Sequence, residues 1–361
     1  EIRPRDWSSD VCSSDLRGLA QGIFGFEAGR NMTMRRSAGK MHMGRALWYA
    51  KPGVVELRTA PLPPPRPGEA RVRTLYSGIS RGTERLVFSG TVPQSEWERM
   101  RAPLQEGAFP FPVKYGYCAA GVVEDGPEAL VGRNVFCLHP HQDTFIAPAD
   151  MLVPLPEGVS PRRATLAANM ETALNAHWDA GTGPGDHIVV VGAGIVGLLA
   201  AAIASRLPGA TVTVVDIAED RRTLVETTGA RFALPDAAPV DADIVFHTSA
   251  SAAGLQTAIR CAGMEATVVE LSWYGDKPVA VSLGDVFHSR RIKLISSQVG
   301  QVSPSRRSRW SYRRRMEAAL AMLTDPALEA FVSEEVAFGD LPKRMPELLT
   351  GTSGLAPVVR Y

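Results

Sequence analysis

A glycine-rich turn followed by a carboxylate is the pattern in this sequence with the clearest chemical use. Gly192, Gly194 and Gly197 come directly after a β-branched run at residues 188–191, in the spacing G-x-G-x-x-G. The first glycine permits a tight turn, the second lets the backbone approach a pyrophosphate, and the third lets helix and strand pack closely. The N–H groups that begin the next helix would offer that anion unpaired donors and a partial positive charge. The spacing therefore predicts a dinucleotide site built by Gly192, Ala193, Gly194, Ile195, Val196 and Gly197.

A single carboxylate indicates which dinucleotide this turn would hold. Asp216 ends a second β-branched run, residues 211–215, and lies 19 residues beyond Gly197. At the end of the second strand of such a unit, a carboxylate accepts hydrogen bonds from the hydroxyls of the adenosine ribose. A 2′-phosphate would meet like charge there. We therefore expect NAD(H) to be preferred over NADP(H).

Residues 188–207 are almost entirely apolar, which also makes them long enough for a membrane span. The three glycines and the strand-like opening favour a buried strand–turn–helix unit instead. No other segment has a comparable apolar run. The sequence therefore predicts a soluble protein without a membrane segment.

The N-terminal residues are expected to be foreign to the fold. Residues 5–16, RDWSSDVCSSDL, look like a translated sequencing adaptor, and no sustained periodicity follows them up to residue 40. We expect residues 1–42 to be a non-native, disordered leader and the natural chain to begin at Met41 or Met43.

The cysteines and the charge balance limit the classes of function. Cys118, Cys137 and Cys261 lie beyond the leader without C-x-x-C spacing. That usage is typical of a reducing compartment and predicts a cytoplasmic location. Lys and Arg number 39 against 38 Asp and Glu, so the net charge of +1 gives no general attraction to nucleic acid. We expect a small-molecule substrate and no nucleic-acid partner.

One basic segment departs from that balance. Residues 306–315 contain six arginines together with Trp310 and Tyr312. We interpret them mainly as a solvated surface beside an amphipathic helix, while binding of an anionic substrate or of a polyanion are the alternatives. The arginines are Arg306, Arg307, Arg309, Arg313, Arg314 and Arg315.

The spacing of strands and turns predicts two domains and a returning tail. Residues 43–160 alternate short strands with Gly and Pro turns, which is typical of a small β-barrel. Residues 161–295 alternate strands with helices, which predicts a doubly wound parallel sheet. Residues 296–361 end in an amphipathic helix, a further helix and a terminal strand, and we expect them to return to the first domain. The expected fold class is α/β, with a β-barrel and a doubly wound parallel sheet.

Motifs along the credible part of the chain resemble the medium-chain dehydrogenase/reductase superfamily. They are PLPPPRPGEARVRTLYSGISRGTE, KYGYCAAGVVEDG, GRNVF, TFIAPADMLVPLPEGVS, GAGIVG and GLAPVVRY. The resemblance implies a GroES-like catalytic domain, a Rossmann coenzyme domain, an active site in the cleft between them, and a homodimer. The phrases SGISRGTE, FPFPVKYGY and NMETALNA look closest to a branch that includes the bacteriochlorophyllide hydroxyethyl dehydrogenases, which implies a large flat substrate.

The positions that hold catalytic zinc in this superfamily carry other residues here. Where the family has cysteine, histidine, glutamate and a second cysteine, this chain has Ser80, Tyr117, Cys118 and Ala168. A serine hydroxyl stays protonated near neutral pH and is a poor zinc ligand. We therefore expect no zinc. A rewired metal site is the alternative, and its ligands would come from Cys118, Glu171, His139 and His141.

Without zinc, side-chain groups must stabilise the substrate oxygen. Tyr117 can donate a hydrogen bond or a proton to it, since nearby cations can lower a phenol pKa from its usual value of about 10. Ser80 can add a second donor. Glu171 can act as a base or substrate anchor. The alternatives are that Tyr117 only fills the space left by the metal and that Glu171 only complements a helix dipole.

Two further residues are candidates for coenzyme contacts by resemblance. Arg81 follows the first former zinc position, where many family members place a cation against the pyrophosphate. A surface ion pair with Glu84 is the alternative. Thr248 lies just after the strand-like run DIVF, where the family often contacts the coenzyme.

Together these features predict a zinc-independent, NAD(H)-dependent oxidoreductase that transfers hydride between the nicotinamide and an alcohol or carbonyl substrate. A quinone or enoyl reductase of the same superfamily is one alternative, because reduction of a conjugated carbon needs no metal. A non-catalytic NAD(H)-binding redox sensor is the other. The sequence carries no code for the substrate, although the resemblance favours a flat one and the arginines an anionic one.

Overall fold

The computed structural model of the protein describes residues 42–351 and 354–361. The adaptor-like segment and the expected start at Met41 lie outside these residues.

The strands are β1 (His42–Lys51), β2 (Val54–Leu62), β3 (Glu69–Gly78), β4 (Glu106–Gly107), β5 (Val113–Lys114), β6 (Ala119–Asp125), β7 (Asn134–Cys137), β8 (Thr144–Pro148), β9 (Val153–Pro154), β10 (His187–Val191), β11 (Thr211–Val215), β12 (Arg231–Ala233), β13 (Ala242–His247), β14 (Ala262–Glu270), β15 (Lys293–Ser296), β16 (Val332–Ala337) and β17 (Ala356–Arg360). The α-helices are α1 (Arg81–Ser89), α2 (Pro161–Ala164), α3 (Ala167–Ala180), α4 (Ile195–Ala204), α5 (Arg222–Thr227), α6 (Ala252–Cys261), α7 (Val286–Ser289), α8 (Tyr312–Met322) and α9 (Leu341–Thr350).

A six-stranded parallel sheet carries the glycine-rich turn. Its strand order is β12-β11-β10-β13-β14-β15, so the chain runs outward from β10 in one direction and then from β13 in the other. This order reverses between β10 and β13, and ligands of such sheets bind where the carboxyl ends of the strands meet that reversal. The β-branched run of β10 is buried in the centre of the sheet. The doubly wound parallel sheet predicted from the sequence is confirmed.

Two sheets built largely of antiparallel pairs contain the remaining strands. One has the order β2-β1-β5-β4, and the other has the order β16-β17-β3-β6-β7-β9 with β8 also paired to β3. The last strand, β17, pairs antiparallel with β3, so that Val358 lies opposite Gly78. The C-terminus of the chain therefore completes a sheet that begins near the N-terminus.

Helix α1 follows strand β3 after a turn of two residues. The strand β3 ends at Gly78, and α1 begins at Arg81 with Ser80 as its N-cap residue. A Cβ on Gly78 would lie 3.0 Å from the carbonyl oxygen of Thr165 and 3.2 Å from Cβ of Cys118, so a larger residue here would push these neighbours apart. The turn therefore places Ser80 beside the segment that carries Cys118.

The segment 188–207, considered above as a membrane span, forms β10 and α4 within the parallel sheet region. None of the helices within residues 42–351 and 354–361 has the length and apolar character needed to cross a membrane.

The arginine segment is not uniformly solvated, which corrects the surface interpretation for one of its members. Arg315 is 2% exposed where α8 packs against α3. Its Nε donates to Glu171 Oε1 at 2.9 Å and its Nη1 donates to Asn175 Oδ1 at 2.7 Å. The remaining donors reach the carbonyl oxygens of Val299 at 2.6 Å and Gln301 at 3.1 Å. Arg315 is therefore a buried anchor that joins α8 to α3.

Replacing Arg315 by alanine is expected to lower the free energy of unfolding by about 3–5 kcal/mol, because it leaves the buried carboxylate of Glu171 without its charged partner. Chemical denaturation monitored by circular dichroism measures this change. The exposed neighbour Arg309→Ala is the control and should change stability by less than about 0.5 kcal/mol. If Arg315→Ala lowered the free energy of unfolding as little as the control does, the anchoring role would be contradicted.

Candidate coenzyme site and active site

The glycine-rich turn leaves an open backbone surface at one glycine and a packed one at another. A Cβ added to Gly194 would meet no atom within 4 Å, and Gly194 is exposed at the start of α4. A Cβ on Gly197 would instead overlap the carbonyl oxygen of Gly192. The second glycine of the motif is thus free to receive a ligand, while the third is required by packing of the helix on the turn.

The start of α4 fits a bound anion. Gly194 is the N-cap residue and supplies no side chain to the helix, whose first backbone hydrogen bond to the cap runs from Leu198 N to Gly194 O. The preceding N–H groups of Ile195, Val196 and Gly197 have no partner within the helix and point out of its end. Such a helix end accommodates the pyrophosphate of a dinucleotide.

Asp216 connects the turn to the end of β11. Its Oδ2 accepts a hydrogen bond from Ala193 N at 2.6 Å and its Oδ1 accepts one from Ala218 N at 2.9 Å. A carboxylate has about four lone-pair sites, so these two bonds leave further acceptor capacity on a half-buried group. Asp216 therefore braces the turn and can still accept from ribose hydroxyls.

Thr248 also contacts the turn, through a hydrogen bond to its backbone. Its Oγ1 donates to the carbonyl oxygen of Gly192 at 2.8 Å. A Cβ on Gly192 or Gly197 would approach this hydroxyl to 2.7 Å. Thr248 therefore holds the shape of the glycine-rich turn, and its contact with the coenzyme stays a prediction.

Two guanidinium groups converge on one backbone carbonyl oxygen. Arg81 Nη1 donates to the carbonyl oxygen of Gly354 at 2.6 Å, and Arg221 Nη2 approaches the same oxygen at 3.4 Å. Burial and the charge of Arg221 lower the pKa of Arg81 from its usual value. Arg221 lies five residues beyond Asp216, and the sequence pattern did not single it out.

The two hydroxyls at the former zinc positions bond to each other. Tyr117 OH donates to Ser80 Oγ at 2.5 Å, with Ser80 buried and Tyr117 half-buried. Burial and the neighbouring Cys118 raise the pKa of Tyr117 well above its ordinary value. The expectation that nearby cations lower this pKa is therefore wrong. Tyr117 is a neutral phenol that can donate a hydrogen bond.

A buried carboxylate fixes the position of Ser80. Glu84 is 0% exposed, and its Oε1 accepts from Ser80 N at 2.7 Å. Its Oε2 accepts from Tyr49 OH at 2.6 Å and lies 3.0 Å from His141 Nε2. The interpretation of Glu84 as a surface partner of Arg81 is therefore wrong. The sequence signal was obscured, because the glutamate lies four residues after the N-cap serine rather than the three of a capping box.

The network continues from His141 to the C-terminal residue. His141 Nδ1 lies 2.7 Å from Ser77 Oγ, which in turn lies 2.8 Å from Tyr361 OH. Burial raises the pKa of Tyr361, so this phenol is neutral as well. Sequence reasoning gave His141 only a place among metal ligands and did not identify Glu84 as a structural centre.

The residues suggested for a rewired metal site lie in separate environments. The carboxylate of Glu171 is held by Arg315, while His139 stacks on Phe145 with ring centroids 3.8 Å apart. The ring of His141 is engaged as described above. Across residues 42–351 and 354–361, no three His, Cys, Asp or Glu side chains are grouped as metal ligands. Together with the bonded Ser80–Tyr117 pair, this donor set does not fit catalytic zinc.

Glu171 is consequently not an accessible base. Its Oε1 accepts from Arg315 at 2.9 Å in the buried contact between α3 and α8. Burial raises its pKa even though the guanidinium acts in the opposite direction. The predicted role as base or substrate anchor is corrected to a structural one, because its charge is already matched.

A second polar chain lies at the carboxyl ends of β13 and β14. His247 Nδ1 is 2.7 Å from Glu270 Oε2, and His247 Nε2 is 2.7 Å from Ser249 Oγ. Tyr274 OH donates to Glu270 Oε2 at 3.1 Å. Burial acts to raise the pKa of Glu270, but the hydrogen bonds from His247 and Ser272 outweigh it and leave that pKa below its ordinary value. Sequence reasoning did not identify this polar chain. The signal that could have identified it is a polar residue at the end of each of two neighbouring strands, His247 in β13 and Glu270 in β14.

Comparison with protein families and curated proteins gives consistent relationships. The family model for the C-terminal domain of alanine dehydrogenase/PNT matches residues 170–304, which contain the glycine-rich turn and all six strands of the parallel sheet. D-guloside 3-dehydrogenase of Escherichia coli K12 is 26% identical over 307 residues, covering 76% of this chain and 87% of the relative. Sorbitol dehydrogenase 1 of Saccharomyces cerevisiae is 27% identical over 172 residues, covering 42% of this chain and 47% of that protein.

Solved structures share the whole fold. A thermostable alcohol dehydrogenase from Pyrobaculum aerophilum aligns with a TM-score of 0.70 and 20% identity, over 89% of this chain and 100% of that one. A short chain alcohol dehydrogenase from E. coli CFT073, complexed with NADH, aligns with a TM-score of 0.70 and 15% identity, over 88% and 99% of the two chains.

These likenesses confirm the predicted α/β fold class, in which a GroES-like domain is joined to a Rossmann sheet. The narrower resemblance to bacteriochlorophyllide hydroxyethyl dehydrogenases is tested by none of them and stays a prediction. The remote relatives are dehydrogenases and the fold is that of alcohol dehydrogenases, so both support an oxidoreductase and the resemblance to the medium-chain dehydrogenase/reductase superfamily.

Proposed function

We propose that the protein is a zinc-independent, NAD(H)-dependent oxidoreductase that interconverts an alcohol and a carbonyl. The observation that carries this proposal is the hydrogen-bonded pair of Tyr117 and Ser80 at the positions where relatives of this superfamily hold zinc. A sugar or polyol is the substrate class that we favour, because relatives named D-guloside 3-dehydrogenase and sorbitol dehydrogenase act on such compounds.

The coenzyme would be held by the parallel sheet. Gly194 and the first N–H groups of α4 would receive the pyrophosphate, Asp216 would accept from the adenosine ribose, and Arg81 would add positive charge. Bound NAD(H) supplies the acceptor or donor of hydride. The preference for NAD(H) rests on the negative charge of Asp216, which repels a 2′-phosphate.

The two hydroxyls would stabilise the substrate oxygen. The phenol of Tyr117 is neutral and can turn its O–H from Ser80 toward an oxygen that gains negative charge. The hydroxyl of Ser80 then remains beside it as a second donor. Glu84 keeps Ser80 in place through the backbone N–H, so the pair is preorganised before substrate binds.

A quinone or enoyl reductase is the second candidate, because the same donor pair can stabilise an enolate oxygen without a metal. Two assays separate the candidates in full-length protein purified without chelator. Oxidation of D-sorbitol and related polyols with NAD⁺ supports the first, whereas turnover of activated alkenes alone supports the second. Elemental analysis tests zinc independence, since stoichiometric zinc required for turnover would overturn it. Coenzyme binding without turnover of any compound would favour the redox sensor.

The homodimer and the cytoplasmic location expected from the sequence are also proposals. They rest on the family resemblance and on the scattered cysteines.

Replacing Tyr117 by phenylalanine is expected to lower kcat about 100-fold without changing the Kd of the coenzyme, because one donor to the substrate oxygen is lost. Steady-state kinetics and coenzyme titration measure the two effects. Since burial raises the pKa of Tyr117, this phenol should stay protonated and give the wild-type kcat no inflection through the neutral range.

The matched control for this variant is Tyr312→Phe, which removes a phenol hydroxyl from an exposed ring at the start of α8. Its kinetics should equal those of the wild type. If Tyr117→Phe also retains full kcat, Tyr117 serves only to fill space.

Replacing Asp216 by asparagine is expected to weaken NADH binding about 10-fold, because a partner of the ribose hydroxyls is altered. It should also bring the Kd values of NADH and NADPH closer together, because the negative charge is removed. Fluorescence titration with each coenzyme measures both constants. Asp220 is exposed on the same loop, so Asp220→Asn removes an equal charge and should leave the ratio of the two Kd values unchanged. Equal affinity of the wild type for NADH and NADPH would disprove selection by Asp216.

A further inference from the structure

The polar chain at the ends of β13 and β14 has the connectivity of a proton-accepting unit. Ser249 Oγ lies 2.7 Å from His247 Nε2, and His247 Nδ1 lies 2.7 Å from Glu270 Oε2. In a hydroxyl–imidazole–carboxylate series, the imidazole can take the hydroxyl proton while the carboxylate orients the ring and stabilises its positive form. Nothing in the function proposed above uses these residues.

The surroundings hold this chain in place. His247 is 0% exposed, whereas Ser249 is exposed at the carboxyl edge of the sheet. A Cβ on Gly254 of α6 would overlap Ser249 Oγ and lie 2.9 Å from His247 Nε2, so this glycine makes room for the contact. Ser272 N donates to the second carboxylate oxygen of Glu270 at 2.7 Å. The hydroxyl is thus accessible and the imidazole behind it is sheltered.

The segment after β14 leads from this polar chain of side chains toward the region of the Ser80–Tyr117 pair. Trp273 and Tyr117 both pack against the same apolar cluster. A Cβ on Gly275 would lie 3.1 Å from Leu86 Cδ2 in α1. The segment that follows Glu270 therefore packs against α1 and the apolar cluster that Tyr117 also contacts.

Alcohol oxidation needs a proton acceptor, and the other groups near the site are poor ones. The raised pKa of Tyr117 keeps its phenol protonated, and Glu84 is already engaged by Ser80, Tyr49 and His141. Burial lowers the pKa of His139 to about 3, which makes its ring a weak base. An imidazole held between a hydroxyl and a carboxylate has the geometry of a general base.

We propose that His247 is the proton acceptor of alcohol oxidation, acting through the hydroxyl of Ser249 and held by Glu270. This inference rests on the proposed function and names the residues that move its proton.

The step balances in atoms and electrons. The substrate O–H bond breaks and its proton passes to Ser249 Oγ, while the Ser249 proton passes to His247 Nε2. The electron pair of the substrate O–H bond becomes the second bond of the carbonyl, and the hydride leaves the substrate carbon for bound NAD⁺. The resulting imidazolium keeps its other N–H on Glu270, and carbonyl reduction runs the same transfers in reverse.

The titratable groups facing His247 are few. Within the described part of the chain they are Glu270 and Tyr274, whose hydroxyl lies 3.4 Å from His247 Nδ1 and whose ring stacks on the imidazole at 6.4 Å. Burial and Glu270 raise the pKa of Tyr274, so it stays neutral. The neighbouring α6 presents the backbone of Gly254 to the ring. Glu270 is therefore the carboxylate that contacts this ring.

The first test reads the imidazole directly. An NMR pH titration of the full chain, with His247 assigned by comparison with His247→Gln, should show this ring titrating between about pH 5 and 8. Glu270→Gln should lower its midpoint by about one pH unit or more, because the imidazolium loses its partner. His288→Gln, an exposed histidine of the same region, should leave the midpoint unchanged. A ring that does not titrate, or a midpoint indifferent to Glu270→Gln, would overturn the proposal.

The second test reads the reaction, with D-sorbitol and NAD⁺ as the probe. Ser249→Ala alters an exposed side chain and should lower kcat/KM about 100-fold, remove the fall in rate at acidic pH and leave the Kd of NAD⁺ unchanged. Ser289→Ala, another exposed serine, is the control. An unchanged pH profile in Ser249→Ala would contradict the relay. A wild-type protein that oxidises no polyol contradicts the proposed function instead, and the NMR result still decides whether His247 and Glu270 form a proton-accepting pair.

Discussion

One buried carboxylate joins most of the elements around the candidate active site. Glu84 receives hydrogen bonds from Ser80 N and Tyr49 OH and contacts His141, and so it links α1, β1 and the segment before β8. An unpaired carboxylate in this position would be very costly, because a buried charge must be matched by donors. The requirement to satisfy Glu84 therefore fixes the turn between β3 and α1, and with it the hydroxyl that Tyr117 contacts.

The site combines two hydrogen-bonded systems from different sheets. The pair of Tyr117 and Ser80 comes from the antiparallel region, while His247 and Glu270 end neighbouring strands of the parallel sheet. The first system consists of neutral donors and suits an oxygen that gains charge, and the second contains the imidazole proposed as the proton acceptor. In zinc enzymes one metal both polarises the oxygen and lowers the pKa of the group bound to it. Here those two tasks can be divided between side chains.

The arginine segment illustrates what a local charge pattern leaves undetermined. Arg314 is exposed with its guanidinium 4.0 Å from the centroid of the Trp310 ring, whereas the next residue, Arg315, is buried against Glu171. Successive residues on a helix point about 100° apart, so one turn places like side chains in opposite environments. The position of α3 determines which of these arginines is buried, and α3 lies more than 130 residues earlier in the chain.

The sequence by itself determined the coenzyme turn, the doubly wound sheet and the replacement of the zinc ligands, because each depends on residues close together in the chain or at positions that a family pattern identifies. Gly192, Gly194 and Gly197 act through their own backbone, so their spacing is sufficient. Only the tertiary structure decided the role of Glu84, the burial of Arg315 and the alignment of Ser249, His247 and Glu270. Those depend on contacts between distant segments and on desolvation, which also reversed the expected direction of the Tyr117 pKa.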